Sequence, residues 1–385
     1  MSTATLPERA DVVVVGGGVM GTSTAFHLAE AGVDVVLVER DELASGSTSR
    51  AAGGVRAQFS DPVNIGLGLR SLEAFERFAD RPGGEIDFAQ HGYLFLLADQ
   101  AAVAAHEQNV RVQNALGVPS RIVDVREACE LSPLVSPDGL VAAAYSPRDG
   151  HCTPEAVVQG YARAARAHGA VIRRHCEVLG IDVDGGRITG VRTSGGHVAT
   201  GAVVCAAGAW SGQLGDMVGL DLPVRPLRRQ IVVTEAVPDL PPRMPMTIDA
   251  ATNFYFHDEG PGVLMGMPDP RDAYGFDTSL DDVWLADLAE AVAFRAPRLA
   301  EVGVAHRWAG LYEVTPDHNA VIGEARTVGR FLYATGFSGH GFLQGPAVGE
   351  VMRDLVLGHT PVVDVSALDA ARFAGGEARP EHNVV

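Results

Sequence analysis

The chain contains no lysine: all 30 of its permanently cationic side chains are arginines. No step in it can use a lysine amine as Schiff base, general base or cation. Cysteine is sparse as well. Cys129, Cys152, Cys176 and Cys205 form no CxxC pair, so nothing suggests a zinc site or redox dithiol, and reduced thiols in or near a core are expected. No window approaches the roughly 20 apolar residues that span a membrane. The opening "MSTATLPERA" lacks the basic-then-apolar layout of a signal peptide. These absences predict a cytoplasmic protein. Positive charge is in deficit too, and the net charge of −18 argues against a nucleic-acid partner. What is there is 385 residues, enough for roughly two domains.

The run "DVVVVGGGVMGTSTAFHLAEAGVDVVLVERD" predicts a buried strand, a tight turn, a helix over about 20–31 and a second strand. Gly16, Gly18 and Gly21 supply GxGxxG. The first permits the turn, the second lets backbone approach a pyrophosphate, and the third lets helix pack on strand. Glu39 ends the second strand at the spacing of a carboxylate that accepts ribose hydroxyls, and it would repel a 2′-phosphate. An NAD domain would continue with alternating strands and helices. Instead "SGSTSRAAGGVRAQF" follows, too rich in glycine and serine for a regular element. Its N–H and hydroxyl groups suit a path along an extended pyrophosphate and flavin.

Two later stretches point the same way. "GGRITGVRTSGGHVATGAVVCAAGAWSGQL" predicts a hairpin or small meander and then a strand over 202–206. "GRFLYATGFSGHGFLQGPAVGEVMRDLVLG" predicts a strand, a glycine-rich loop and a helix over about 344–357. Together with "TPDHNAVIG", these motifs in this order resemble the D-amino acid oxidase superfamily of FAD-dependent amine oxidoreductases. Within it the likeness is to the sarcosine oxidase, glycine oxidase, dimethylglycine dehydrogenase and proline dehydrogenase β-subunit group. The resemblance implies an α/β fold, with a Rossmann-type FAD-binding domain interleaved with an α+β substrate domain built on a large antiparallel sheet. On that template, residues 1–80, 145–215 and 305–375 form the FAD domain. Residues 81–144 and 216–304 form the substrate domain, and 376–385 a flexible tail.

The same resemblance sets FAD against the three glycines, with Val19 and Met20 at the helix start and Glu39 and Arg40 after the second strand. Ser45, Ser47, Thr48, Arg50, Ala51, Ala52 and Gly53 would line its path. Val178, Ala207, Gly208 and Trp210 would join from the middle of the chain, and Gly310, Gly336, Ser338, Gly339, His340, Gly341, Phe342 and Leu343 from its end. His340, just ahead of the last long helix, would help that helix's N-terminus stabilise reduced flavin.

An amino-acid substrate offers its carboxylate as a handle, which arginine grips bidentately. Arg56 falls where the resemblance implies such an arginine; the competing reading is an ion pair with a nearby acid. Tyr255, His257, Trp308 and Tyr312 are the ring-bearing candidates for the pocket. In "NFYFHDEG", strand alternation turns Phe254, Phe256 and Asp258 away from Tyr255 and His257. The chain also departs from monomeric sarcosine oxidases. Gly310 lies near their flavin-linking cysteine, so noncovalent FAD is expected. Thr48-Ser49 replaces their histidine pair, Leu343 a carboxylate-binding lysine, and the region around Met265 their oxygen-activating lysine. The expected function is FAD-dependent oxidation of the C–N bond of a small amino acid, N-substituted or cyclic. Oxygen or an electron-acceptor protein would take the electrons. Oxidation of a 2-hydroxy acid and a non-catalytic FAD-containing scaffold are the alternatives. No metal site is expected, and the oligomeric state stays open.

Overall fold

A computed structural model of the chain describes residues 6–375 and 379–383. Its first layer is a six-stranded sheet in the order Val321–Glu324, Phe331–Thr335, Val203–Cys205, Val12–Val15, Val35–Val38, Val171–Arg173. All neighbours are parallel except the first pair. Every residue of Val12–Val15 and Val35–Val38 is buried, as an unbroken β-branched run demands when both sheet faces are covered. Helices Val19–Glu30, Pro154–Ala167 and Gly341–Leu357 share a core with one face. A meander of Val178–Asp184, Arg187–Thr193 and Gly196–Ala199 shares a second core with the other.

The second layer is an eight-stranded sheet in the order Val304–Val314, Arg225–Thr234, Gly262–Met267, Phe254–Glu259, Met246–Asp249, Tyr93–Leu97, Ala142–Ser146, Arg121–Val123. It is antiparallel except where Met246–Asp249 runs parallel to Tyr93–Leu97. Alternation sorts its faces. Phe254, Phe256 and Met265 pack with Trp284 and Leu288 of the helix Asp282–Arg295. Tyr255, Ile231, Met246 and Ile248 turn the other way.

Three details differ from the sequence expectation. Val304–Val314 pairs along its whole length with Arg225–Thr234, so this strand belongs to the substrate sheet, and the chain returns to the nucleotide sheet only after Val314. The last long helix starts at Gly341 rather than 344, which puts His340 at its N-cap. Residues 379–383 are not frayed. Glu381 is buried and accepts from Ser60 N and Oγ, Asp61 N, Asn64 Nδ2 and Asn383 N. It thus neutralises the N-terminus of helix Pro62–Glu76, whose N-cap is Asp61. Residues 376–378, 384 and 385 of the expected tail lie outside the described residues. All four cysteines are free, and Cys152, Cys176 and Cys205 are buried, as expected. Among the described residues, no helix is long and apolar enough to cross a membrane.

Candidate active site

A cavity of about 460 Å³ is lined from both sheets. The glycine turn forms one wall. Gly16 holds φ +114°, and a Cβ there would lie 2.2 Å from Ala206 O; at Gly21 it would lie 1.9 Å from Gly16 O. Gly21 therefore packs helix against turn and does not itself line the cavity. Gly18 does line it, and a Cβ there would meet only Thr48 Oγ1, at 3.1 Å. Val19 N donates to the same Thr48 hydroxyl at 3.2 Å. Thr48 takes only the first N–H of helix Val19–Glu30, and the N-cap Gly18 has no side chain to close the rest, so the following N–H groups and the dipole are available to a phosphate. Glu39 accepts from Gly17 N at 2.6 Å and Asp41 N at 2.8 Å. Nearby, the Arg40 guanidinium sits 4.0 Å over the Trp210 ring, which stacks on Phe276. A glycine turn, an open helix N-terminus, a terminal carboxylate and an aromatic platform are the donor set and shape that a dinucleotide needs. The residues present fit one.

A second helix N-terminus reaches the same cavity. Gly339 to Leu343 line it, and the N-cap residue His340 makes no side-chain cap. His340 is buried, its Nε2 has no hydrogen-bond partner, and its ring meets Phe59 edge-on. Burial, then the charge of Arg56, pushes its pKa far down, so the imidazole is neutral and any positive potential here comes from the helix. Beside it lies Glu313, which sequence reading missed. Its carboxylate accepts from Thr335 Oγ1 at 2.8 Å and Gly336 N at 3.0 Å. Burial pushes its pKa up to about 7.

The substrate sheet contributes Tyr93, Arg229, Ile231, Met246, Ile248, Tyr255 and Tyr312 to the lining, and Arg56 joins from the flexible stretch. Arg56 is 2% exposed. It donates to the carbonyls of Gln58 and Asn383 and lies 4.2 Å over the Phe59 ring. Among the described residues no carboxylate lies within ion-pair distance of it, although the charges of Glu381 and Asp149 act on it. Two of its five N–H groups are used in these bonds. Arg229 sits 5.0 Å over the Tyr312 ring and donates from Nη1 to Arg228 O, while its buried Nε has no partner. Burial raises the pKa of Tyr93, Tyr255 and Tyr312, so all three carry their protons. Arg229 shares a strand face with core Ile231, two residues on, but nothing in the strand pattern says that this face meets a cavity.

Val19, Met20, Glu39, Arg40, Ser45, Ser47, Thr48, Arg50, Ala51, Ala52, Gly53, Val178, Ala207, Gly208, Trp210, Gly310, Phe342 and Leu343 line the cavity as the sequence led us to expect. Four expected residues besides Gly21 do not. His257 is buried behind the loop, with Nε2 2.9 Å from Ala52 O and its ring against His151. Trp308 donates from its indole to Arg50 O, bracing the loop from outside. Gly336 and Ser338 shape the turn under Glu313: Gly336 N donates to that carboxylate, and the Ser338 hydroxyl accepts from Thr315 N. Alternation aimed His257 correctly along its strand, but the strand's end passes beside the cavity rather than under it.

The profile of the family described as FAD dependent oxidoreductase matches residues 11–355. Mitochondrial dimethylglycine dehydrogenase of Mus musculus is 30% identical over 97% of this chain and 45% of its own length, so the chain spans about half of that relative. FAD-dependent oxidoreductase domain-containing protein 1 of Bos taurus is 32% identical over 98% of this chain and 88% of its own. The crystal structure of L-proline dehydrogenase from P. horikoshii superposes with a TM-score of 0.93 at 33% identity, covering 97% of this chain and 100% of that one.

Proposed function

From the premise that the chain belongs to the FAD-dependent oxidoreductase family, we propose that it oxidises the C–N bond of a small amino acid, N-substituted or cyclic, to an imine that water then hydrolyses. Bound FAD supplies the hydride acceptor, flavin N5. One observation carries the reading: Arg56 and Arg229 line the same cavity with guanidinium N–H groups left over. Two such cations suit a carboxylate. They also disfavour an ammonium beside it, so the substrate amine is held in the neutral form from which oxidation proceeds. Tyr93, Tyr255 and Tyr312, all protonated, orient the substrate and exclude water, and Ile231, Met246, Ile248 and Leu343 accommodate an apolar ring or N-substituent. Relatives named for dimethylglycine and L-proline support that substrate class. FAD is held without a covalent link, by the glycine turn and the two helix N-termini. Three buried, unpaired cysteines accord with a cytoplasmic location.

For a 2-hydroxy acid the group placed to act as base is His340, whose Nε2 is free in the cavity, but its lowered pKa makes it a weak one. The deciding experiment is anaerobic titration of the flavin band with sarcosine, dimethylglycine, proline, glycine, D-amino acids and 2-hydroxy acids. Bleaching by sarcosine, dimethylglycine or proline is expected, and readmitted air then separates oxidase from dehydrogenase. Bleaching by hydroxy acids alone moves the assignment to His340-assisted alcohol oxidation. A band that only dithionite reduces would leave a non-catalytic flavoprotein.

A further inference from the structure

Beside the Ala51–Gly54 loop, outside the cavity, three residues from distant parts of the chain converge. His91, His151 and Asp258 each present one donor atom, and these lie within 4.8 Å of one another. His91 precedes the strand Tyr93–Leu97, His151 pairs with Gly54 of the loop, and Asp258 lies three residues beyond Tyr255. Each also carries a buried side-chain atom without a hydrogen-bond partner: His91 Nδ1, His151 Nε2 and Asp258 Oδ1. Three such atoms in one place are costly unless something joins them. His151 Nε2 and Asp258 Oδ1 are 3.6 Å apart, too far for a good hydrogen bond. The spacing is close to the ~3.4 Å that separates two ligands held at about 2.0–2.1 Å by a tetrahedral zinc ion.

We propose that His91, His151 and Asp258 bind a divalent transition-metal ion, zinc by donor type, that fastens the cofactor loop to the substrate sheet. Two imidazole nitrogens and one carboxylate oxygen suit zinc, with a water completing the shell. Carboxylates stand close to the group: Asp258 raises the pKa of His91 against Arg243, and Glu259, next along the strand, interacts with both His151 and Asp258. His257 is not a ligand, because its two nitrogens face Ala52 O and Asp258 O. Its ring lies 4.1 Å from that of His151 and holds the ligand ring in place. A protonated His151 paired with Asp258 is the metal-free alternative, and it leaves His91 Nδ1 still without a partner. Sequence reading could not find this site, because no two of its ligands share a motif.

The test uses untagged, FAD-loaded protein stripped with a chelator and titrated calorimetrically with Zn²⁺. Saturable binding of one equivalent is expected, with a rise in melting temperature on adding the ion. His91→Ala and Asp258→Asn should each weaken binding at least tenfold and abolish that rise while keeping the flavin spectrum. No saturable binding by the wild-type chain, or unchanged binding in both variants, overturns the proposal. Should the variants fail to fold, Co²⁺ added to the wild-type chain decides alone. Intense visible bands of a four- or five-coordinate ion support the site, and the weak bands of aqueous Co²⁺ refute it.

Discussion

The guanidinium of Arg56 donates from Nη2 to the backbone carbonyl of Asn383, 327 residues further along the chain, at 2.6 Å. A buried cation in the cavity is thus held by a segment that the family motifs do not include. The anchor of that segment is Glu381, whose pKa is lowered by its hydrogen-bond donors against the opposing effect of burial.

Glu381→Gln should therefore loosen Arg56 without touching the cavity. Losing charge-assisted hydrogen bonds at a helix N-terminus costs roughly 1–3 kcal/mol, read as a lower melting temperature. For a carboxylate substrate KM should rise about tenfold, with kcat changed less, because a misplaced guanidinium weakens binding before chemistry. Unchanged KM would mean that Arg56 keeps its position without the segment.

Arg229→Ala should weaken carboxylate binding by about 10- to 100-fold, the range of a charged hydrogen bond. Arg229→Lys should recover only part of this, since an ammonium cannot present two parallel N–H groups. Steady-state kinetics of both variants beside Arg56→Ala would show whether the two arginines share one ligand. A substrate lacking a carboxylate should be indifferent to all three changes.

Gly16→Ala and Gly18→Ala should fail in different ways. The first pushes a Cβ to 2.2 Å from Ala206 O at a positive φ, so little folded protein is expected. The second meets only the Thr48 hydroxyl at 3.1 Å, so the chain should fold yet purify with far less flavin. Circular dichroism and the ratio of flavin to protein absorbance separate the two outcomes.

Burial raises the pKa of Glu313 from 4.5 and that of Asp149 from 3.8, both to about 7. An acid whose pKa is raised by folding favours the fold in its neutral form. Its contribution is complete below the ordinary value and is lost as pH rises towards 7. At ~1.4 kcal/mol per pH unit, Glu313 alone is worth on the order of 3 kcal/mol across that window. Buried His27, His257 and His340, whose pKa values are lowered, act in the opposite sense over much of the same window, so the test is a difference: relative to wild type, flavin-free Glu313→Gln should gain stability steadily as pH rises from about 4.5 to 7. Urea denaturation at a series of pH values measures it.

The nucleotide half was legible because its signals are local. Gly16, Gly18, Gly21 and Glu39 sit at fixed offsets in one strand–helix–strand unit, and the structure gives each a distinct steric or hydrogen-bonding task. Tyr255 was legible from alternation within its strand. Arg229, Tyr93 and Glu313 were not, since a strand pattern tells which residues share a face but not which face meets a cavity. Glu381 and Asn383 were least legible of all. A short polar stretch after the last helix looks like any solvated end, and only tertiary contacts with Ser60, Asn64 and Arg56 give it a role.

That segment also ties together two places the sheets keep apart. Glu381 takes up the donors of Ser60, Asp61 and Asn64 at the start of one helix, while Asn383 holds the Arg56 guanidinium in the cavity. Loss of residues 379–383 would leave both sheets covalently whole and strip the anion-binding arginine of one of its two carbonyl partners. A nick in this stretch would therefore disarm the site without cutting either layer that builds it.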